Sequence, residues 1–336
     1  MRLRSLSLPE AQAFQQALGC ERLPGTLSPC YLAGDALRDA ALSPRFVAVE
    51  EGERRWLHGL HLTDIPGSRW RDASSPYGYG GPVANSRDAG FLVAAWQACH
   101  EHLRGEERVV VEYLRFHPLL ANEAGYPGQV LPNREVVSVD LTTDFAAAYP
   151  LRLQQVLRKS ARAGLHYGEQ PFAPQARAFG AYHRAAMQAM GADAFYVFDD
   201  AYFEAMGRCP GARLALVTAD GAWLAAALLL DGPGVREYHL AATVPEGRRL
   251  GASSALLHGA AEAARDAGLR QLYLGGGTDA KPDNPLLFFK GGFSPLRLPY
   301  RTGSRVLDPA GYDEVKALFA AQHAAHPQRP IFHRKV

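Results

Sequence analysis

Apolar and polar positions over Arg45 to Glu50 and Arg54 to Leu62 read as two strands joined at Glu51-Gly52-Glu53, which predicts a hairpin. A short helix is expected before it, from Pro9 to Leu18, and a longer one after it, from about Arg87 to Leu103, closed by Gly105. Val109 to Phe116 is apolar and β-branched and reads as a strand. A short helix opened by Pro118 is predicted over His117 to Ala124, then a strand over Val136 to Leu141, with Thr142-Thr143-Asp144 as a cap for the next helix. That helix is predicted at Tyr149 to Ala163, ended by Gly164, and another at about Pro174 to Met190. Arg213 to Thr218, Trp223 to Leu230 and Val235 to Ala242 form an antiparallel meander, its turns supplied by Ala219-Asp220-Gly221 and Asp231-Gly232-Pro233-Gly234. A helix from about Gly251 to Ala267, a strand from Leu269 to Leu274 broken by Gly275-Gly276-Gly277, a helix near Pro285 and a last strand from Phe293 complete the pattern. The class is mixed α/β, with a meander feeding a crossover helix in each half.

The two halves share a register. Pro118-Leu119-Leu120 to Gly125-Tyr126 and Pro285-Leu286-Leu287 to Gly292-Phe293 are 167 positions apart (285 − 118). The same offset carries Arg45-Phe46-Val47-Ala48-Val49 onto Ala212-Arg213-Leu214-Ala215-Leu216, and Trp56 onto Trp223. Internal duplication is the reading, with chance likeness of strand-turn-strand segments as the alternative. Glu123 falls where Lys290 sits, an asymmetry that points to chemistry in the second copy.

Bulk properties narrow the class. With 336 residues, about two domains are expected, and together they bury a core without metals or disulfides. Cys20, Cys30, Cys99 and Cys209 contain no CxxC pair, which argues against a zinc site and for a reducing, cytoplasmic location. The N-terminus has no apolar h-region, and the longest apolar run, Trp223 to Leu230, is too short to span a bilayer. A net charge of +2 is too small to imply bulk polyanion binding and leaves room for a local patch. The 23 prolines and 33 glycines are spread over turns, without a low-complexity tract.

Candidate chemistry gathers in the second half. The crossover helix follows Pro245-Glu246-Gly247-Arg248-Arg249-Leu250-Gly251-Ala252-Ser253-Ser254, whose backbone amides, with Arg248 and Arg249, suit a phosphate or pyrophosphate such as that of coenzyme A. Arg248 and Gly251 fit the acetyltransferase pattern of Gln or Arg, two residues, Gly, one residue, Gly or Ala; Ser253 departs from it. A capped helix start with solvated arginines is the alternative. Lys290 ends a short apolar helix beside Gly291 and Gly292, where a lysine stabilises the oxyanion of acyl transfer or is merely solvated. Phe289 beside it stacks on a base or packs the core. His239 is the one plausible general base in the second meander, a buried structural histidine being the alternative; Tyr238 precedes it on the other face of the strand. Tyr77 and Tyr79 line an acceptor cleft or pack a twisted strand. The basic helix Arg152 to Arg162, with Arg158, meets a phosphate-bearing substrate or is a solvated face. His58 with His61 and His100 with His102 are spaced wrongly for joint metal ligation, and Gly275-Gly276-Gly277 lacks the sequel of a P-loop, so no metal is expected.

Taken in order, Ser75-Pro76-Tyr77-Gly78-Tyr79-Gly80-Gly81-Pro82, Arg158 to Leu165, Tyr238 to Ala242, Leu274 to Gly277 and Phe289-Lys290 resemble the Fem-type branch of the GNAT acyltransferase superfamily, including its BioF2-like acetyltransferase domain. The resemblance spans nearly the whole chain and implies two tandem GNAT-like domains: residues 1–148 with 300–336 on the acceptor side, and 149–299 on the donor side. It implies transfer of an acyl or aminoacyl group to an amine, with aminoacyl-tRNA or acyl-CoA as co-substrate and no permanently bound cofactor. The acceptor is a small molecule or a peptidoglycan (cell-wall) precursor, and the acceptor end of a tRNA is a possible partner. Phe289 and Lys290 fall on the family's Phe-Lys pair, which serves the carrier's end and the transferring carbonyl. With Arg248, Arg249, Gly251 and Ser253 they make up the donor side; Tyr77, Tyr79, Arg158 and Tyr238 make up the acceptor side; Lys290 and His239 are the catalytic candidates. The chain lacks the coiled-coil arm that some Fem proteins insert in the second domain. The competing classes are a coenzyme A-dependent N-acetyltransferase of a small metabolite and a non-catalytic binding protein on the same duplicated fold.

Overall fold

The computed structural model describes residues 1–279, 281 and 283–334. The architecture is the expected mixed α/β, and the chain divides into two compact units. Unit 1 comprises Met1–Cys20, Thr26–Asn133 and Pro299–Val336; unit 2 comprises Glu21–Gly25 and Arg134–Leu298. The chain thus passes between units at 133 and 298, where the sequence reading sets 148 and 299, and the last two residues of the expected first domain lie outside the described residues.

Unit 1 runs β1 (Arg2–Leu6), α1 (Leu8–Gln16), α2 (Pro29–Asp35), β2 (Ser43–Glu51), β3 (Arg54–Asp64), β4 (Arg71–Ser74), β5 (Val83–Ala84), α3 (Ala89–Gly105) and β6 (Val109–Arg115). Its sheet has the order β1-β2-β3-β4-β6, closed by the C-terminal strand Arg297–Val306, and every pairing is antiparallel except that of β4 with β6. That parallel pair needs a crossover, and α3 supplies it. The Asp88 carboxylate caps α3 by accepting from Phe91 N at 2.7 Å, and Phe91, Ala95, Trp96, Cys99 and Leu103 form its buried stripe. Trp96 meets Trp56 edge-on at 5.2 Å on that face. Helix Pro309–Leu318 and Ile331 and Phe332 cover the other face through Trp70, Val110 and Val111.

Unit 2 runs β7 (Gln129–Asp140), which belongs to it from Arg134 on, α4 (Leu151–Arg162), β8 (His166–Pro171), α5 (Ala176–Ala189), α6 (Asp200–Gly207), β9 (Ala212–Ala219), β10 (Ala222–Gly232), β11 (Val235–Thr243), α7 (Pro245–Leu250), α8 (Ala252–Asp266), β12 (Gln271–Gly275) and α9 (Pro285–Gly291). Asp220 and Gly221, with φ of 48° and 78°, make the β9-β10 connection a turn with two left-handed central residues, which matches the strands' twist. The sheet order β8-β9-β10-β11-β12-β7 repeats unit 1: four antiparallel strands, a helical crossover to a parallel strand, and an antiparallel closing strand.

The duplication is therefore visible in topology, but the 167-residue register is only approximate in the strands, where β9 and β10 begin 169 and 168 residues after β2 and β3 (212 − 43 and 222 − 54). It slips at the crossover, where α8 and β12 begin 163 and 162 residues after α3 and β6 (252 − 89 and 271 − 109). The Pro118 segment departs further: no helix forms there, only hydrogen-bonded turns. Ala121 is left-handed at φ 48°, and Asn122 accepts from His117 N at 2.9 Å while donating to Gly80 O and Pro82 O, so its side chain holds the segment against Ser75–Pro82 instead of letting a helix continue. Glu123 thus has no helical counterpart relation to Lys290; it accepts from Arg301 at 2.8 Å. The last strand starts at Arg297, not Phe293, because Ser294 forms a turn that accepts from Leu296 N.

Glu112 of β6 is fully buried in unit 1, with His100 Nε2 and the Tyr126 hydroxyl each at 3.0 Å and His58 Nε2 at 3.6 Å. Burial alone would raise its pKa, but the charge and hydrogen bond of His100, aided by His58, outweigh it and hold the carboxyl well below the usual range. Stability from this group is present above about pH 4.5 and is lost as pH falls through the lowered folded value. Glu112→Gln is expected to cost about 3 kcal/mol near neutral pH by thermal melting, with the gap to wild type narrowing under acid; an equal gap at pH 7 and pH 3 would refute this assignment.

Candidate functional site

In unit 2 the parallel strands part. β11 pairs with β12 only from Val235 to Glu237, against Gln271 to Tyr273, so Tyr238 to Thr243 continue without β12 beside them. β11 also carries one extra residue here: Tyr238 faces Leu229 and Leu240 faces Leu228, which leaves His239 as a bulge. β12 turns away at Gly275, whose φ of 73° favours glycine. The counterpart in unit 1 stays closed. β4 pairs with β6 up to Ser74 with Tyr113, Ser75 N donates to Tyr113 O, the Ser75 hydroxyl accepts from Arg115 N, and Gly80 N donates to Arg115 O at 2.7 Å. The segment Ser75–Pro82 therefore fills in unit 1 the opening that unit 2 leaves between its strands.

Lys290 sits at the end of the glycine turn. It lies in the last turn of α9, is 8% exposed, and donates from Nζ to Gly276 O at 2.8 Å. Burial pushes its ammonium down to about 8. Phe289 is half-buried, packs edge-on against Phe293 at 5.5 Å and joins the core of Val137, Leu257 and Leu272; the neighbour that faces solvent is Phe288, 72% exposed. α9 begins with Asn284, whose Oδ1 accepts from Leu286 N and Leu287 N, followed by Pro285.

The loop before α8 is a short helix. Arg248 and Arg249 are exposed in α7, and Gly251, at φ 83°, links α7 to α8. A side chain at 251 would meet Ser160 Oγ and Val156 Cγ1 at 2.7 Å, so this glycine is required by the close approach of α4. Lys159 Nζ donates to Arg249 O at 2.7 Å and Ser160 Oγ to Leu250 O at 2.9 Å. Ser253, the residue that departs from the acetyltransferase pattern, donates to Thr243 Oγ1 at 2.9 Å and ties the start of α8 to the end of β11. Arg158 is exposed on α4 and donates to Gln154.

The remaining candidates separate. Tyr238 packs with two clusters that include α8 residues, one of which also receives Phe289, and burial raises its hydroxyl pKa. His239 points to the other face, where its Nε2 lies 3.1 Å from the Tyr202 hydroxyl of α6; the structure does not bring it to Lys290. Neighbouring His183 is buried, and burial, with His239 and Arg184, lowers it to about 4, so it is neutral. Tyr77 and Tyr79 belong to unit 1: Tyr77 N donates to Asp35, its carbonyl accepts from Tyr31, and the Tyr79 ring packs against His117 and Tyr300 at 5.0 and 5.3 Å. Among the described residues, no group of three or more His, Cys, Asp or Glu could hold a metal ion, and no helix is long and apolar enough to cross a membrane.

Two residues escaped the sequence reading. Arg134 of β7 donates to Gly277 O at 2.9 Å, a long-range contact with no local signal. Asn284 has one, since an Asn directly before Pro marks a helix N-cap.

Comparison with known proteins agrees with this geometry. Residues 152–282 match the family model described as an acetyltransferase (GNAT) domain. No curated protein sequence matches the chain. Among solved structures, FemX superposes with a TM-score of 0.71 at 13% identity, covering 94% of this chain and 100% of that one. The C-terminal domain of a putative lysylphosphatidylglycerol synthetase from Agrobacterium fabrum gives 0.60 at 17%, covering 94% and 97%, and L-PGS from Bacillus licheniformis gives 0.53 at 15%, covering 96% and 97%. At such identities the likeness is one of fold.

The lowered pKa of Lys290 carries a sign that stability measurements read. The folded protein sheds this proton near pH 8, whereas the unfolded chain keeps it to about 10.5, so this group makes the protein more stable as pH rises between those values. Wild type is expected to gain in melting temperature relative to Lys290→Met between pH 7 and 10; a constant difference would mean that Lys290 titrates as an exposed lysine.

Proposed function

We propose that the chain, whose residues 152–282 match the acetyltransferase (GNAT) domain model, transfers an acyl or aminoacyl group from a phosphate-bearing carrier to an amine, at the opening between β11 and β12. The observation that carries this reading is Lys290, a buried cation held at the glycine turn where β12 leaves its partner. The acceptor nitrogen attacks the acyl carbon, and the carbonyl π pair moves onto oxygen. Lys290 stabilises that oxyanion, and such stabilisation is usually the main source of rate in acyl transfer. The attack forms the C–N bond; collapse then returns the oxyanion pair to the carbonyl and breaks the carrier's C–O or C–S bond, and the leaving oxygen or sulfur takes up the proton that the amine loses. His239 has no part in this step, and the substrates themselves pass the proton.

Support for a phosphate-bearing carrier comes from α4 and α7. Arg152, Arg158, Arg162, Arg248 and Arg249 are exposed there, and the Lys159 contact joins the two helices. None of these arginines has a carboxylate within ion-pair distance among the described residues, and Glu246 is the one acid the two helices carry. Two carriers fit: an aminoacyl-tRNA end, following the resemblance of the Phe289-Lys290 pair, and acyl-CoA, favoured by Arg248 and Arg249 in α7, just before α8. Phe288 is the aromatic face available to stack on a base of either carrier. The acceptor is a small amine or a cell-wall precursor, with Arg158 on α4 as the candidate contact in unit 2.

Lys290→Met is expected to lower transfer about a hundredfold with little change in donor KM, and wild-type transfer is expected to fall as pH rises above about 8, where the cation is lost. Unchanged turnover in the variant would remove Lys290 from the chemistry. A thermal-shift comparison separates the carriers: coenzyme A at 100 times its Kd stabilises by about 2.7 kcal/mol. A shift with an acylated RNA end mimic and none with coenzyme A assigns the RNA carrier, and the reverse assigns acyl-CoA.

A further inference from the structure

The turn that receives Lys290 is clamped on three sides. Lys290 Nζ holds Gly276 O from the last turn of α9. Arg134 Nη1 holds Gly277 O from β7 at 2.9 Å. Asn284, 3% exposed at the other end of α9, uses its whole amide: Oδ1 accepts from Leu286 N and Leu287 N at 3.0 and 3.1 Å, and Nδ2 donates to Thr278 Oγ1 and Asp279 Oδ1 at 2.8 and 3.0 Å. A Cβ on Gly277 would lie 2.3 Å from Asn284 Oδ1, so the turn and the amide are in direct contact. The two ends of α9 thus grip one short stretch, and the carbonyl that orients the ammonium belongs to it.

We propose that Asn284 is a positioning residue for Lys290: its amide locks the turn 276–279 to α9 and so sets the place and solvation of the lysine ammonium. The proposal rests on the reading of Lys290 as the group that stabilises the oxyanion. Asn284 has two separable jobs. Its oxygen caps α9, which any Asx carboxyl or carboxamide oxygen can do. Its NH2 group clamps the turn, which only the amide can do, because a carboxylate at 284 would face Asp279 with like charge.

The charged groups around the lysine are few. Arg134 and Glu135 lie on β7, Asp279 lies in the turn, and Arg297 beyond α9 sets its guanidinium against Gly291. No carboxylate forms an ion pair with Lys290 among the described residues, and burial is the cause of its lowered pKa. Loosening the turn admits water and returns the lysine towards its ordinary value.

The test compares Asn284→Asp, which keeps the cap and breaks the clamp, with Asn284→Ala, which loses both. Transfer by Asn284→Asp is expected to lose about tenfold or more in kcat with donor KM unchanged, and the falling limb of its pH–rate profile is expected to move upward from about 8. Asn284→Ala is expected to show the same kinetic change plus a lower melting temperature. If both variants lose melting temperature while the limb stays in place, Asn284 is only a helix cap and the proposal is overturned. If Lys290→Met itself retains full transfer, the oxyanion reading has failed; if Lys290→Met loses transfer while Asn284→Asp behaves as wild type, the reading stands and the positioning role alone is refuted.

Discussion

Everything proposed for this protein depends on the place where two parallel strands stop pairing. β11 and β12 share only three residue pairs, after which the His239 bulge and the left-handed Gly275 send the two strands apart. A sheet interior is ordinarily sealed by its ladder, since each unpaired backbone group must find another partner or solvent. Parting the strands leaves Tyr238 to Thr243 of β11 without β12 beside them, and the Lys290 ammonium lies against the glycine turn.

Unit 1 shows what closing that opening requires. Its strand order and crossover are those of unit 2, yet Ser75 and Gly80 continue the pairing along β6, and Asn122 pins that extension through Gly80 O and Pro82 O. The same scaffold therefore has one copy with a sealed strand pair and one with an opened pair. The carbonyls and amides account for the difference, and no change in the sheet's connectivity is involved. In unit 1 the buried polar groups serve the core, as in the ring of His100, Tyr126 and His58 about Glu112.

In unit 2 the buried polar groups at the opening do a different job. Lys290 has no carboxylate partner among the described residues, so desolvation lowers its pKa, and its ammonium is oriented by a neutral carbonyl. A cation left without a counter-ion costs stability but keeps its full field for a developing negative charge. The glycines around it belong to this arrangement: Gly277 admits Asn284, and Gly251 admits α4.

The meander β9-β10-β11, the β2-β3 hairpin, the crossover helices and α9 were legible in the chain, because each is set by local chemistry: apolar periodicity, the Asp220-Gly221 turn, Gly268 after α8, Pro285 at a helix start. The position of Lys290 at the end of an apolar helix beside glycines was legible for the same reason. What only tertiary structure decided are the contacts that cross the sequence. The Pro118 segment has the local marks of a helix, but Asn122 bonds to residues about forty positions earlier in the chain and the helix is lost. Gly251 fits a phosphate loop locally, yet its lack of a side chain answers to Ser160 and Val156 of α4. His239 has the local marks of a base in its strand, while its partner, the Tyr202 hydroxyl of α6, comes from 37 positions earlier in the chain. Local pattern determines which elements form, because propensity and periodicity act over a few residues; where a side chain points and what it serves are set by partners far away in the chain, which no window of sequence contains.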